Sequence, residues 1–452
     1  MYRKAFGFLE KWVSESDRKP LVLRGARQVG KTWLVRHFAN MSEKKLIEIN
    51  FEKQPQYVKY FSSNDPKQIL LNLSAAFHHE IIPEKCLLFL DEIQSAPELL
   101  AKLRWFAEDL PELPVIAAGS LLEFVLANHT FSMPVGRIGY LHLEPLSFEE
   151  FLMAQDKKIL CDYLSKYTLK IEIPMPLHEQ LMSLFKEYVL VGGLPAAVSS
   201  WISDRSLSKV NKIQHNLLAT YRDDFSKYNG RIATERLDET MMAVPKMLGQ
   251  KFVFSHVSSS AQSNTIKQAL SLLNKARICH RVSGSHANGV PLAAEIKEKY
   301  FKEIFLDVGL CCAALDLNLN QINNTDEITL INQGAIAEQV VGQLLRVIHP
   351  FYMQPALYYW LREEKGSNAE VDYVISHNGK IIPIEVKAGS TGALKSLHLM
   401  MELKKLKFAI RINSDLPSKT EVKVKNYSSK QIEYTLLSLP FYLLGQINNI
   451  VI

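Results

Sequence analysis

The sequence predicts an α/β protein whose first third is a parallel sheet covered by helices. Near-continuous apolar runs at 21–24, 46–51, 86–90 and 115–118 alternate with helix-length segments. This pattern is typical of buried parallel strands. The first run leads directly into a glycine-containing loop at 25–32 and then into a helical pattern, as in a strand–loop–helix unit.

Length and composition exclude several classes of protein. The chain has 452 residues, of which 47% are hydrophobic and 22% charged, so fibrous and disordered classes are excluded and about two to four domains are expected. The net charge of +6 is too small, over so long a chain, to indicate a nucleic-acid partner by itself.

Targeting and redox features indicate a cytoplasmic protein. The first residues, MYRKAFGFLEKW, lack an uninterrupted apolar signal core, and no apolar run is long enough to span a membrane. The five cysteines form no CxxC pair, which favours buried thiols in a reducing compartment over a zinc site.

Three further segments follow the first α/β region. Residues 145–228 have helical periodicity with one strong breaker, GGLP at 192–195. Residues 264–282, the turn SGSHANG and the run EKYFKEIFLDVGL fit a winged helix, although an amphipathic helix is also ordinary core material. Finally, the helical pattern GAIAEQVVGQLLRVI precedes strand-like runs YYWLR, EVDYVI and KIIPIEVK, which indicate a second α/β domain.

The loop GARQVGKT matches the phosphate-binding pattern GxxxxGK[ST]. Gly25 and Gly30 allow a tight turn that points backbone amides and a helix N-terminus at a phosphate. Lys31 would place its charge on the β and γ phosphates, and Thr32 would offer its hydroxyl to Mg²⁺. The loop backbone is completed by Ala26, Arg27, Gln28 and Val29. The alternative is a glycine turn with a solvent-exposed lysine.

Acidic and polar residues end the next strand-like runs. Asp91 and Glu92 follow the apolar run CLLFL; Asp91 would hold Mg²⁺ through water and Glu92 would polarise the attacking water. Ser120 follows VIAA and could sense the γ phosphate, and Arg137 in PVGRIGY could stabilise charge in cis or from a neighbouring subunit. The alternatives are a strand end that re-enters solvent for the acids, a turn or helix cap for Ser120, and a surface arginine for Arg137.

The motifs LRGARQVGKT, LDEIQ, AGSLLEF, GR, PLSFEEF, GGLP and YRDDFSKY together resemble bacterial and archaeal AAA-superfamily ATPases that end in a nuclease-like domain of unknown function. The resemblance covers nearly the whole chain and implies ATP and Mg²⁺ as cofactors. Together with the segment patterns described above, it divides the chain into a P-loop ATPase core at 1–144, a helical lid at 145–230, a winged-helix-like module at 231–325 and a PD-(D/E)xK nuclease-like domain at 326–452.

Four residues of the last segment fit a nuclease-like site: Glu338, Asp372, Glu385 and Lys387. An acid on one strand and an acid and a lysine two residues apart on the next project to one face, with HNGK as the turn between them. Asp372 and Glu385 would bind Mg²⁺ with Glu338 as an additional carboxylate, and Lys387 would orient the nucleophile. The proline that often precedes the aspartate is missing. The alternative is a simple salt bridge, or a degenerate nuclease kept for binding.

The positive charge is local. Between Lys380 and Lys430 there are eleven Lys or Arg residues and four acids, an excess of seven against +6 for the whole chain. A basic face beside carboxylates suits a DNA backbone, although a solvated surface would look the same in sequence.

These features together predict an ATP-hydrolysing AAA-type protein that acts on nucleic acid, with DNA as the partner and homo-oligomers as an assembly to test. The alternative is a regulatory or signalling NTPase whose C-terminal domain binds a partner and cuts nothing. A chaperone-like remodelling ATPase is less favoured because no segment resembles a peptide-translocating pore.

Overall fold

The computed structural model describes residues 1–120, 133–228, 232–317, 334–364, 367–387, 394–425 and 431–451. The chain forms two compact units. Unit 1 comprises Met1–Glu144, Lys275–Arg277 and His349–Gln354, and unit 2 comprises Pro145–Asn274, Ile278–Ile348 and Pro355–Ile452. The end of the AGSLLEF motif and Lys430 of the basic segment lie outside the described residues.

Unit 1 contains a five-stranded parallel sheet and helices. Its helices are α1 (Ala5–Ser14), α2 (Lys31–Met41), α3 (Pro66–Phe77) and α4 (Leu99–Asp109), and its strands are β1 (Leu21–Arg24), β2 (Lys45–Asn50), β3 (Cys86–Asp91), β4 (Val115–Ala118) and β5 (Gly139–His142). The strand order is β2-β3-β4-β1-β5 and all four pairings are parallel. The four predicted strands are confirmed; β5 was not predicted, since GYLH is short and only half of it is buried.

Burial explains why these runs form strands. Every residue of β3 and β4 is buried, so both faces of the central sheet are covered and the sequence shows no alternation. Because β4 lies between β1 and β3, the residues that follow these three strands meet at one edge of the sheet. That edge is where the glycine loop and the acidic pair lie.

Unit 2 begins with helices, as predicted for 145–228. They are α5 (Phe148–Ala154), α6 (Lys158–Ser165), α7 (Met175–Val191), α8 (Pro195–Asp204) and α9 (Leu207–Asp223). The PLSFEEF motif forms a capping box. The Ser147 side chain accepts a hydrogen bond from the Glu150 backbone amide, and the Glu150 side chain accepts one from the Ser147 backbone amide. Gly192 ends α7 at φ 77°, and the Gly193 amide donates to the buried Asp307 carboxylate at 2.6 Å. The GGLP motif is therefore a structural turn.

The remainder of unit 2 is an eight-stranded mixed sheet with more helices. The helices are α10 (Thr234–Lys246), α11 (Ser263–Lys275), α12 (Val308–Ala314), α13 (Ala335–Val347), α14 (Lys395–Lys404) and α15 (Ile447–Ile450). The strands are β6 (Cys279–Ser285), β7 (Ile296–Phe305), β8 (Leu357–Glu364), β9 (Ser367–His377), β10 (Lys380–Val386), β11 (Phe408–Asn413), β12 (Ser418–Lys425) and β13 (Gln431–Pro440). Their order is β12-β13-β11-β10-β9-β8-β6-β7.

The segment expected to be a winged helix joins this sheet. Helix α11 is followed by the antiparallel pair β6–β7, as a winged helix requires. However, β6 also pairs in parallel with β8, so the hairpin extends the C-terminal sheet. The division into four domains at 144, 230 and 325 stays a prediction.

Three other expectations can be compared with the structure. The turn HNGK joins β9 to β10 with Asn378 at φ 48° and Gly379 at φ 72°, the positive values that a two-residue hairpin needs. All five cysteines are buried and free. Among the described helices, none has the length and apolar character needed to cross a membrane.

Candidate functional site

The glycine loop of unit 1 joins β1 to α2 and has the conformation that its sequence predicts. Gly30 precedes α2 at φ 93° and Gln28 lies at φ 67°, so the chain turns sharply before the helix begins. A Cβ atom on Gly25 would lie 2.4 Å from the Leu143 carbonyl oxygen, so only glycine fits there. The loop thereby presents the unpaired amides of the first turn of α2, which form an anion site.

Lys31 is held inside this loop. It is 9% exposed, and its ammonium donates to the carbonyl oxygens of Gly25 at 3.0 Å and Ala26 at 2.8 Å. Burial lowers the pKa of Lys31 to about 8, and the carboxylates of Glu92 and Asp91 oppose this shift. The lysine charge is thus placed at the loop and is poorly solvated, so a phosphate would compete well with the two carbonyl groups.

Asp91 ends β3 beside the loop. Its Oδ2 accepts hydrogen bonds from the Thr32 hydroxyl at 3.2 Å and from Asn50 at 3.4 Å, and its Oδ1 accepts from the Glu92 amide at 3.1 Å. Burial, followed by the charge of Glu92, raises the pKa of Asp91. A hydroxyl and a desolvated carboxylate in contact are the hard oxygen donors that Mg²⁺ prefers. These residues therefore fit a magnesium ion.

Glu92 is held by a residue that the sequence analysis did not single out. It lies at φ 51°, and its Oε2 accepts from Gln94 Nε2 at 2.5 Å. The other amide atom, Gln94 Oε1, is buried and has no hydrogen-bond partner among the described residues. A Cβ atom on Gly119 would lie 2.3 Å from Gln94 Oε1. The position of Gln94 in LDEIQ was the only available signal, because its side-chain direction depends on the turn after β3.

Ser120 and Arg137 have different surroundings. Ser120 follows β4, so it lies at the same sheet edge as the ends of β1 and β3. Arg137 instead forms an ion pair with Glu108 of α4 at 2.6 Å, and its side chain is 52% exposed. The structure therefore brings Ser120 toward the loop edge and places Arg137 in a surface ion pair.

The predicted nuclease-like residues of unit 2 lie on β9, β10 and α13, except Lys387, which follows the last residue of β10. The β9–β10 register continues from Ile384 opposite Tyr373, which puts Glu385 opposite Asp372. The Val386 amide donates to Asp372 Oδ2 at 2.7 Å, and Lys387 pairs with Glu385 Oε1 at 3.0 Å.

These carboxylates are buried and repel one another. Asp372 is 8% exposed and Glu385 3% exposed. Burial, then the charges of Glu338 and Glu385, raise the pKa of Asp372 well above its usual range. Burial also raises the pKa of Glu385, and Lys387 offsets only part of that shift. The cluster therefore needs positive charge or protons to be stable.

A buried lysine on β7, Lys302, supplies such a charge and was not predicted. Lys302 is 3% exposed, and its ammonium donates to Glu338 Oε2 at 3.1 Å and forms an ion pair with Glu370 of β9. Burial alone would lower the pKa of Lys302, but Glu338 and Glu370 raise it well above its usual range. No local pattern marked this residue, since it is distant in sequence from the other members.

Two observations test whether the cluster fits a metal ion. Glu385 Oε2 is buried without a hydrogen-bond partner among the described residues, as a cation ligand would be. Against this, Lys302 already binds Glu338 of the predicted set and the neighbouring Glu370. In addition, no group of three His, Cys, Asp or Glu side chains in the described ranges is arranged to hold a metal. The residues present therefore do not fit Mg²⁺.

The basic segment is spread over several elements. Lys419, Lys423 and Lys425 are exposed on β12, which is an edge strand. Lys423 pairs with Glu433 at 3.4 Å. Exposed lysines on an edge strand also prevent edge-to-edge pairing, so they have a structural role as well as a charge that could meet phosphates.

The strand–loop–helix of unit 1, with Lys31 and Asp91 at the edge of a parallel sheet, defines a P-loop nucleotide-binding domain of the α/β class. Residues 17–152 match a family model described as an AAA domain, so this part of the chain is an AAA-type ATPase domain. Residues 182–321 and 333–434 match two further models, each described as a domain of unknown function.

The individual proteins that the chain resembles are distant in sequence. No curated protein matches significantly. Among solved structures, C. elegans PCH-2 is similar at 13% identity and a TM-score of 0.27, over 45% of this chain and 63% of that chain. A signal transduction ATPase with numerous domains (STAND) and a tetratricopeptide repeat sensor, from Pyrococcus horikoshii, is similar at 12% identity and a TM-score of 0.25, over 77% and 46%. This chain thus spans less than two thirds of either structure.

Proposed function

We propose that unit 1 binds ATP with Mg²⁺ and hydrolyses it. The observation that carries this proposal is the direct contact between Thr32 and Asp91 beside the buried ammonium of Lys31. The loop amides and Lys31 would bind the β and γ phosphates, and Thr32 and Asp91 would hold the ion. When bound, Mg²⁺ would neutralise charge that develops on the phosphates.

The remaining residues have proposed roles in water attack. Glu92 would orient the attacking water, and Gln94 fixes the position of that carboxylate through its hydrogen bond. Ser120 would contact the γ phosphate or the water. Arg137 would have to leave its ion pair with Glu108 to stabilise transferred charge, in the same subunit or in a neighbouring one.

Two variants test the ATPase proposal. Lys31→Ala is expected to abolish nucleotide binding, measured by titration with a fluorescent ATP analogue. Glu92→Gln is expected to keep that binding and to slow phosphate release by about 100-fold, the size typical of a lost general base. Unchanged nucleotide affinity in Lys31→Ala would refute the proposal.

We further propose that the C-terminal domain acts on nucleic acid, with DNA as the expected partner, and does so by binding. The excess of seven positive charges between Lys380 and Lys430 supports this, because contacts with phosphates dominate affinity for DNA. Replacing Lys419 and Lys425, which are exposed on β12, by Glu should weaken DNA binding and reduce its salt dependence. The matched control is Lys157→Glu with Lys158→Glu, which are also lysines of unit 2.

One observation favours a second function. Because Lys302 binds carboxylates of the nuclease-like cluster, a regulatory NTPase with a catalytically silent, partner-binding C-terminal domain fits the chain as well. The two functions are separated by measuring ATP hydrolysis with and without duplex, branched and single-stranded DNA. Stimulation by DNA supports the first function, and an ATPase indifferent to DNA supports the second.

A further inference from the structure

The carboxylate cluster of unit 2 contains a cation that belongs to the chain itself. Lys302 comes from β7, whereas Glu338 comes from α13 and Glu370 from β9. The Lys302 side chain is 4% exposed, against 20% for Glu338 and 33% for Glu370. The lysine is therefore more buried than either of the two glutamates that it binds.

The surroundings of Lys302 hold its side chain in place. Its ammonium lies 5.4 Å from the centre of the Tyr359 ring, within the range of a cation–π contact. Glu338 is in turn confined, because a Cβ atom on Gly249 would lie 3.0 Å from Glu338 Oε1. Since buried ammonium groups are found almost only with charged partners, the contacts with both glutamates offset the cost of burying the Lys302 charge.

We propose that the Lys302 ammonium is the resident cation of this cluster and takes the place of a divalent metal ion. The inference goes beyond the proposed function and does not depend on ATP hydrolysis. Its consequence is that the C-terminal domain is not a metal-dependent nuclease in its native form.

The competition is electrostatic and geometric. Mg²⁺ needs close to six oxygen ligands in an octahedron, whereas Lys302 already occupies Glu338 Oε2 and a Glu370 oxygen. Of the remaining acids, Asp372 Oδ2 accepts the Val386 amide and Glu385 Oε1 pairs with Lys387. A divalent ion would also be repelled by two ammonium groups in a poorly solvated site.

The test is a titration of the full chain with Mn²⁺, without nucleotide or DNA, followed by calorimetry and by electron paramagnetic resonance. Up to about 1 mM Mn²⁺, a concentration at which weak oxygen sites fill, wild-type protein should show no Mn²⁺ binding that depends on Glu385. Wild type and Glu385→Gln should therefore give the same titration. Lys302→Met should gain a Mn²⁺ site at least ~10-fold tighter than any in wild type, since the competing charge is gone. That site should disappear in Lys302→Met/Glu385→Gln.

The matched control is Lys299→Met, an exposed lysine of the same strand, which should bind Mn²⁺ as wild type does. Mn²⁺ should also raise the melting temperature of Lys302→Met alone. Wild-type binding that Glu385→Gln abolishes would overturn the proposal, and so would a folded Lys302→Met that gains no site. If Lys302→Met does not fold, the comparison of wild type with Glu385→Gln decides. Failure of ATP hydrolysis or of DNA binding leaves these results unaffected.

Discussion

Glu303, the neighbour of Lys302 on β7, is expected to make the stability of the protein depend on pH. Its side chain is fully buried; Oε1 accepts from Arg281 and Asn274, each at 3.2 Å, and Oε2 has no hydrogen-bond partner among the described residues. Burial raises the pKa of Glu303 from 4.5 to about 7, although Arg281 acts in the opposite direction. Between pH 4.5 and about 7 the folded chain therefore keeps a proton on Glu303 that the unfolded chain has already lost.

The sign and size follow from linkage. A carboxyl group whose pKa is higher in the folded state stabilises the fold fully below pH 4.5, and this stabilisation is lost as pH rises through 7. The complete loss is about 3 kcal/mol, since each pKa unit corresponds to about 1.4 kcal/mol. Between pH 5.5 and 8.5 about 2 kcal/mol of it should be seen.

Glu303→Gln removes the titration and keeps an acceptor for Arg281 and Asn274. We expect its melting temperature, relative to wild type, to rise by about 3 °C between pH 5.5 and 8.5, because a unit of about 300 residues has a large entropy of unfolding. Differential scanning calorimetry measures this difference, and Glu298→Gln, an exposed position on the same strand, is the control. A constant difference between Glu303→Gln and wild type across that range would refute the reasoning.

Three further predictions concern unit 1. Gly25→Ala places a Cβ atom 2.4 Å from a carbonyl oxygen and should weaken binding of a fluorescent ATP analogue at least ~10-fold, a loss of about 1.4 kcal/mol. The control is Gly7→Ala, whose Cβ atom would have no atom within 4 Å. This control should bind the analogue normally and should be about 0.5–1 kcal/mol more stable to unfolding by urea. Gln94→Ala removes the hydrogen bond that fixes Glu92. It should lower the rate of phosphate release with little change in the Michaelis constant for ATP. Arg137→Ala should reduce ATP hydrolysis far more than ATP binding; an equal loss of both would exclude its role in charge stabilisation.

Features that depend on short stretches of sequence were predictable. The GARQVGKT loop, the buried strands and the HNGK turn each combine a local backbone requirement with a run of apolar residues. The structure places all of them as expected, because parallel strands covered on both faces leave an unambiguous apolar signal. Asp91 and Ser120 could be located from the same signal, since Asp91 ends one strand of the central sheet and Ser120 follows another.

Features that depend on pairing between distant segments were not predictable. The pairing of β6 with β8 cannot be predicted from the sequence of either strand, because the apolar and polar pattern of each would suit many partner strands. Lys302 joins Glu338 and Glu370 only through this sheet. The direction of Gln94 likewise follows from the turn at Glu92, whose φ of 51° no residue type in LDEIQ requires.

The basic segment shows why a count of charges differs from a charge that is available to a partner. The excess of seven between 380 and 430 includes Lys387 and Lys423, which are paired with Glu385 and Glu433. Glu433 lies just outside the counted range, so the ion pair reduces the available charge below the counted value. Because a DNA contact must displace such partners, the salt dependence of binding should report fewer phosphate contacts than the sequence count implies. Affinity for DNA would then depend on exposed positions such as Lys419 and Lys425, whose charges the fold leaves at the edge of the sheet.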